Sequence, residues 1–209
     1  MDRSTKNAVV IFTDSHGLQK YSVRHIADQF AQKGYFVVIP DLFYGDPAPE
    51  YPDDDFDDEK WSWAHAPLRT DRIIEGVIRI MRETLGCQRI GGAGYSFGGE
   101  YVCRHLQKGK LDVGFIAHPS DFDDVILEDI EGPLSLALGA RDKTFTTEQR
   151  HEAEEALESV RWPYQITLYS HVGHGFSSRG DPWYSVQRFG MEQSFNQALV
   201  WFDEYLKRL

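Results

Sequence analysis

Ile90-Gly91-Gly92-Ala93-Gly94-Tyr95-Ser96-Phe97-Gly98-Gly99 is the stretch whose reading decides the fold. It starts as a short apolar strand, tightens through G-x-S-x-G and opens into a helix over residues 98–108. A serine at so sharp a strand-to-helix turn takes strained backbone angles. The residues two before and two after it must then be small, and both are glycine. Ser96 is lifted above a sheet, over a helix N-terminus that favours developing negative charge. A glycine-rich turn without chemistry reads the same locally, so the flanking elements have to separate the two.

Upstream, residues 8–13 form the β-branched and aromatic run of a strand buried on both faces. Residues 21–33 place Val23, Ile26, Ala27, Phe30 and Ala31 at helical spacing, with Gly34 as the terminating residue. A second strand, 35–39, stops at Pro40. Residues 41–59 read as a loop with nine carboxylates and no Lys or Arg. A long helix follows over 68–85, with Ile73, Val77, Ile80 and Met81 along one face. Downstream, 113–117, 134–138 and 164–169 read as strands, and 147–160 and 186–209 as helices. This alternation predicts an α/β fold, a three-layer α/β/α sandwich on a mostly parallel sheet, in one domain spanning 1–209. Ligands belong at the carboxyl ends of its strands.

Composition narrows the function classes. A net charge of −11 disfavours nucleic acid and anionic membrane surfaces as partners. No apolar run reaches the length of a membrane span, and the polar residues 1–7 lack a signal sequence, so a reducing cytoplasmic setting is expected. Cys87 and Cys103 are expected as free buried thiols. The acidic run lacks the spaced glycine and terminal glutamate of a calcium loop and reads as a solvated surface; no metal or cofactor is expected.

A serine hydroxyl needs a base, and histidine suits neutral pH. Of eight histidines, His25, His105 and His151 fall in helices, His65 follows the acidic loop, and His118 ends the fourth strand beside Pro119. His171 and His174 follow the last strand; His174, between two glycines, is the expected base, and His171 a packing residue. The acid should come between Ser96 and His174 in the chain, and Asp142 lies just beyond the strand at 134–138. Asp121, Asp123 and Asp124 are alternatives, and a turn-capping aspartate is the plainer role for Asp142. The oxyanion donors expected are the backbone N–H groups of Phe97 and Ser15.

These residues together resemble the dienelactone hydrolase family, a compact branch of the α/β-hydrolases, over residues 9–202. The likeness rests on Thr13-Asp14-Ser15-His16-Gly17, Pro40-Asp41-Leu42-Phe43-Tyr44-Gly45-Asp46, the Ser96 elbow and His174-Gly175-Phe176. Ala117-His118-Pro119-Ser120 is similar to the fungal members. The resemblance implies hydrolysis of a small ester or lactone by a monomer or homodimer, with Asp14, His16, Trp63 and Arg179 near the substrate. Trp61 and Trp63 are equally open to an ordinary packing role. Ser96 stands where the family's usual nucleophile is cysteine, as a natural serine variant or through a Cys→Ser change. Asp14 is one methylene shorter than the usual Glu, and residues 53–59 hold no second arginine to clamp a dicarboxylate. Two further readings stay open: a fungal biosynthetic cyclase, isomerase or lyase on this scaffold, and a non-catalytic ligand-binding module.

Overall fold

Five consecutive residues, Ala8 to Phe12, have no exposed surface at all, which only a central strand covered on both faces permits. They belong to β1 (Asn7–Phe12) of a computed structural model that describes residues 5–120 and 125–208. The other strands are β2 (Phe36–Val38), β3 (Arg89–Tyr95), β4 (Val113–Ala117), β5 (Leu134–Gly139) and β6 (Tyr164–Tyr169). All pair in parallel, in the order β2-β1-β3-β4-β5-β6. Between them run α1 (Tyr21–Gln32), α2 (Asp58–Ala64), α3 (Pro67–Glu83), α4 (Phe97–His105), α5 (Val125–Glu128), α6 (Thr147–Glu158), α7 (Phe176–Arg179) and α8 (Ser185–Phe202).

Alternation along β1 divides the core. Ala8, Val10 and Phe12 face one cluster with Ile74, Ile78 and Met81 of α3 and Tyr101 and Val102 of α4. Val9 and Ile11 face the other, with Val23, Ile26 and Phe30 of α1 and Ala198, Trp201 and Phe202 of α8. Each Val, Ile, Met or Phe among them contributes about 1.5–3 kcal/mol by leaving water. β6, with no strand beyond it, is less covered than expected: Tyr164 and Leu168 are exposed.

Several boundaries differ from the sequence reading. Gly34 does terminate α1, at φ +87°. The acidic run is partly helical, because Asp57 caps α2 by accepting the Lys60 N–H at 2.9 Å, with Asp58 and Glu59 in the first turn. The last helix stops at Phe202 and continues as a π-helical turn, Asp203–Lys207, where Asp203 accepts from the Tyr35 hydroxyl at 2.7 Å. Both cysteines are free and buried. No described helix is long and apolar enough to cross a membrane.

Candidate active site

The chain builds β2 on one side of β1 and β3 on the other, so the crevice at their carboxyl ends is the topological switch point of the sheet. Ser96 emerges there, between β3 and α4, at φ 51° and ψ −115°. This is a conformation an L-residue adopts only under constraint. The constraint is the close approach of α4 to the sheet. A Cβ on Gly98 would lie 2.1 Å from the Phe12 carbonyl oxygen, and one on Gly94 would lie 2.5 Å from the Gly98 oxygen.

His174 and Asp142 converge on this serine from the ends of β6 and β5. Ser96 Oγ lies 2.7 Å from His174 Nε2, and His174 Nδ1 lies 3.1 Å from Asp142 Oδ2. A carboxylate only accepts, so Nδ1 carries the hydrogen and Nε2 is left bare to accept from the serine hydroxyl. The Asp142 side chain is 2% exposed. Its other oxygen accepts the backbone N–H groups of Thr144 (2.8 Å) and Phe145 (3.2 Å). The turn-capping role and the histidine-orienting geometry thus coexist in one carboxylate. Asp121, Asp123 and Asp124 lie outside the described residues. His171 is exposed, with φ 63°, and is no packing residue; the left-handed turn after β6 swings it to solvent.

Loop 13–17 supplies the facing wall. Asp14 accepts the His16 N–H through its side chain and the Gly17 N–H through its carbonyl, both at 3.0 Å. Among the described residues the Ser15 N–H has no acceptor. The Phe97 N–H, at the first position of α4, is free of intrahelical bonding by its place in the helix. Asp14, His16 and Arg179 form one cluster. Arg179 Nε is 3.4 Å from Asp14 Oδ2, and its Nη1 donates to His16 Nε2 at 2.8 Å. His16 Nδ1 donates to the Ala48 carbonyl at 3.1 Å, so the two partners fix which nitrogen of this imidazole gives and which receives. Loop 45–50 is strapped over the same wall by Ala48 N–H to Ser15 O and by the Lys20–Glu50 ion pair.

Trp63 is not brought to the site. It is 76% exposed, with Arg69 over its ring. Two residues along a helix differ by about 200° in direction, and the inward phase belongs to Trp61. Its ring packs on Phe43, His65 and Phe97, and its indole N–H donates to Asp46 O at 2.9 Å. One residue beside the site carries no role in the sequence reading: His118, fully buried at the end of β4, its ring 5.3 Å from that of His174. A histidine ending a central strand, one strand from the nucleophile, is the available signal. Among the described residues no cluster of His, Cys, Asp or Glu has the makings of a metal site.

The dienelactone hydrolase family model matches residues 2–206. The hydrolase pyvD of Aspergillus violaceofuscus is 48% identical over 99% of this chain and 84% of its own length. The hydrolase tropI of Talaromyces stipitatus is 46% identical, with the same two coverages. Among solved structures, a candidate dienelactone hydrolase from Klebsiella pneumoniae superposes with a TM-score of 0.80 over 98% of this chain and 89% of that one, at 16% identity, a likeness of fold. With a family match over nearly the whole length and two fungal hydrolases near half identity, the chain belongs to the dienelactone hydrolase family and is an ester or lactone hydrolase by type.

Proposed function

We propose that this chain hydrolyses a small ester or lactone through an acyl-enzyme on Ser96. Ser96 Oγ attacks the substrate carbonyl carbon as its proton passes to His174 Nε2, and Asp142 steadies the resulting imidazolium. The amides of Ser15 and Phe97 receive the oxyanion; each such donor is worth about 3–4 kcal/mol. His174 then protonates the departing alkoxide. A water, deprotonated by the same nitrogen, cleaves the acyl-serine and returns the proton to the hydroxyl. For a lactone both fragments stay in one hydroxy acid. No step calls on a metal or an organic cofactor.

The observation that carries this reading is the 2.7 Å contact of the serine hydroxyl with the bare nitrogen of an imidazole whose other nitrogen is tied to a buried carboxylate. Asp14, His16 and Arg179 then form the rim on which the substrate rests. Because Arg179 already faces Asp14 and His16, the rim favours a neutral or weakly polar acyl group over a dicarboxylate.

A fluorophosphonate probe is expected to label the protein at Ser96 and to leave Ser96→Ala unlabelled. Hydrolysis of p-nitrophenyl acetate and of a small lactone panel should be lost in the same variant, and carboxylate product formed in oxygen-18 water should carry the label. Absence of labelling together with absence of turnover would refute the proposal and leave a ligand-binding module. Unlabelled product would point to cyclisation or isomerisation.

A further inference from the structure

His174 sits between Gly173 and Gly175, whose carbonyls accept from Phe176 and from Ser178 and Arg179, so the backbone is held and the freedom left is the tilt of the ring; Gly175 is left-handed at φ +81°. Its two hydrogen bonds, to Ser96 and Asp142, are made by ring nitrogens, whose N–H and lone pair are directed in the ring plane. Bonds so placed fix the two nitrogens and leave the ring free to rock about the line joining them. Something outside that plane has to hold it.

Among the described residues, the aromatic ring packed against His174 is that of His118, at 5.3 Å between centroids and 76° between planes. β4 lies between the strand that delivers Ser96 and the strand that precedes Asp142, so its end opens between theirs on the same rim. His118 has no exposed surface and is wedged also against Tyr95 and Phe176. Its backbone is left-handed, at φ 37°, a conformation that costs an L-residue energy and persists where the surroundings impose it. Its Nε2 lies 3.3 Å from the hydroxyl of Ser178. Ser178 belongs to α7, the turn that begins two residues after His174. One side chain therefore touches the imidazole and grips the segment carrying it.

Its remaining nitrogen, Nδ1, has no partner among the described residues. A buried polar atom left unpaired costs more than an apolar atom in the same place, so simple filling of the space does not account for a histidine here.

We propose that His118 is a positioning residue that holds the His174 imidazole upright between Ser96 and Asp142. The inference deepens the hydrolase reading and rests on it. Burial first, and then repulsion from the imidazolium that His174 can form and from Arg179, keep the His118 ring well below the usual histidine range. The facing charged groups are His174 and Arg179, with Asp142 on the far side of His174. A neutral neighbour does not oppose the imidazolium that forms at His174 during turnover.

The test uses His118→Ala, His118→Phe and Ser178→Ala, each followed by thermal unfolding, by p-nitrophenyl acetate kinetics and by nitrogen-15 NMR of the His174 ring. With His118→Ala, kcat should fall about 10- to 100-fold, in line with a displacement approaching 1 Å at a reacting group, while KM stays within about twofold. The NMR should show loss of the single His174 tautomer, and the acid limb of kcat/KM should move. His118→Phe and Ser178→Ala, which each keep a ring at position 118 and lose the bond between the two residues, should both fall between. Folded variants that lose melting temperature but keep the tautomer, the acid limb and kcat would overturn the proposal as a purely structural effect. If His118→Ala does not fold, the other two variants decide by the same readouts. If the parent turns over no ester, the hydrolase reading fails alone, and the NMR still decides whether His118 positions His174.

Discussion

Gly98→Ala puts the elbow itself to the test. The added methyl would stand 2.1 Å from the Phe12 carbonyl oxygen and 2.4 Å from its carbon, both backbone atoms of a fully buried strand. A carbon ordinarily approaches a carbonyl oxygen no closer than about 3.3 Å, so α4 and β1 must part by roughly 1 Å. Overpacking of this kind costs about 1–3 kcal/mol. In a chain of 209 residues each kcal/mol lowers Tm by about 2–4 °C, so a fall of about 2–12 °C is expected by calorimetry. The catalytic cost should be larger. α4 opens with the Phe97 amide directly after Ser96, and a shift near 1 Å at reacting groups costs about 100-fold in kcat/KM. Gly76→Ala supplies the opposite sign. Gly76 lies inside α3, and a methyl added there would meet nothing within 4 Å, so alanine should stabilise by about 0.5–1 kcal/mol without touching the kinetics. A Gly98→Ala protein with parental Tm and kcat/KM, or the two alanines moving Tm in the same direction, would refute the steric argument.

Two further expectations concern the scaffold. Burial raises the Asp71 carboxyl, but hydrogen bonds from His105 and Arg104 outweigh it and hold the group down to about 2. A depressed carboxylate stabilises the fold above its unfolded value of about 3.9 and loses that contribution as pH falls towards 2. Asp71→Asn should therefore cost about 1–2 kcal/mol at neutral pH, and the gap in urea midpoint between parent and variant should narrow from pH 4 to pH 2; a gap that stays constant would be contrary. Trp61→Ala should cost about 2–3 kcal/mol in denaturant unfolding, because the ring packs on Phe43 and Phe97. Trp63→Ala, at an exposed site, should stay within about 0.5 kcal/mol, and equal losses would contradict the assigned helix phase.

What can be read from the chain is local or ordered along it. The elbow is legible because the space around Ser96 constrains residues only two positions away, and glycine at 94 and 98 is the direct trace of that constraint. The geometry also joins Asp142 to His174, in the chain order serine, acid, histidine, after β3, β5 and β6. The short helices α2, α5 and α7 escape because seven or four residues are too few to display a period. The sequence does not tell Trp61 from Trp63, because the phase of so short a helix is set by what packs against it, namely Phe43 and Phe97. The pairings His118–Ser178 and Asp71–His105 are beyond sequence for another reason: the partners lie 60 and 34 residues apart, with no pattern in the chain to join them.

The strand order explains why so few residues need to be specified for the site to assemble. The chain steps outward through β3, β4, β5 and β6, each parallel to the last, so every loop that follows a strand opens on the same rim. Ser96 and His174 are 78 residues apart, and His174 and Asp142 are 32 apart, yet none has to be carried across the sheet. Of these four strands β4 alone contributes no hydrogen-bonding member to the relay, and it is the strand whose end carries His118. A small apolar residue there would leave a void under the imidazole. A charged one would bury an unpaired ion beside it, at a cost of several kcal/mol. A neutral ring satisfies both limits, and one with a nitrogen for the Ser178 hydroxyl also ties down the segment that carries His174.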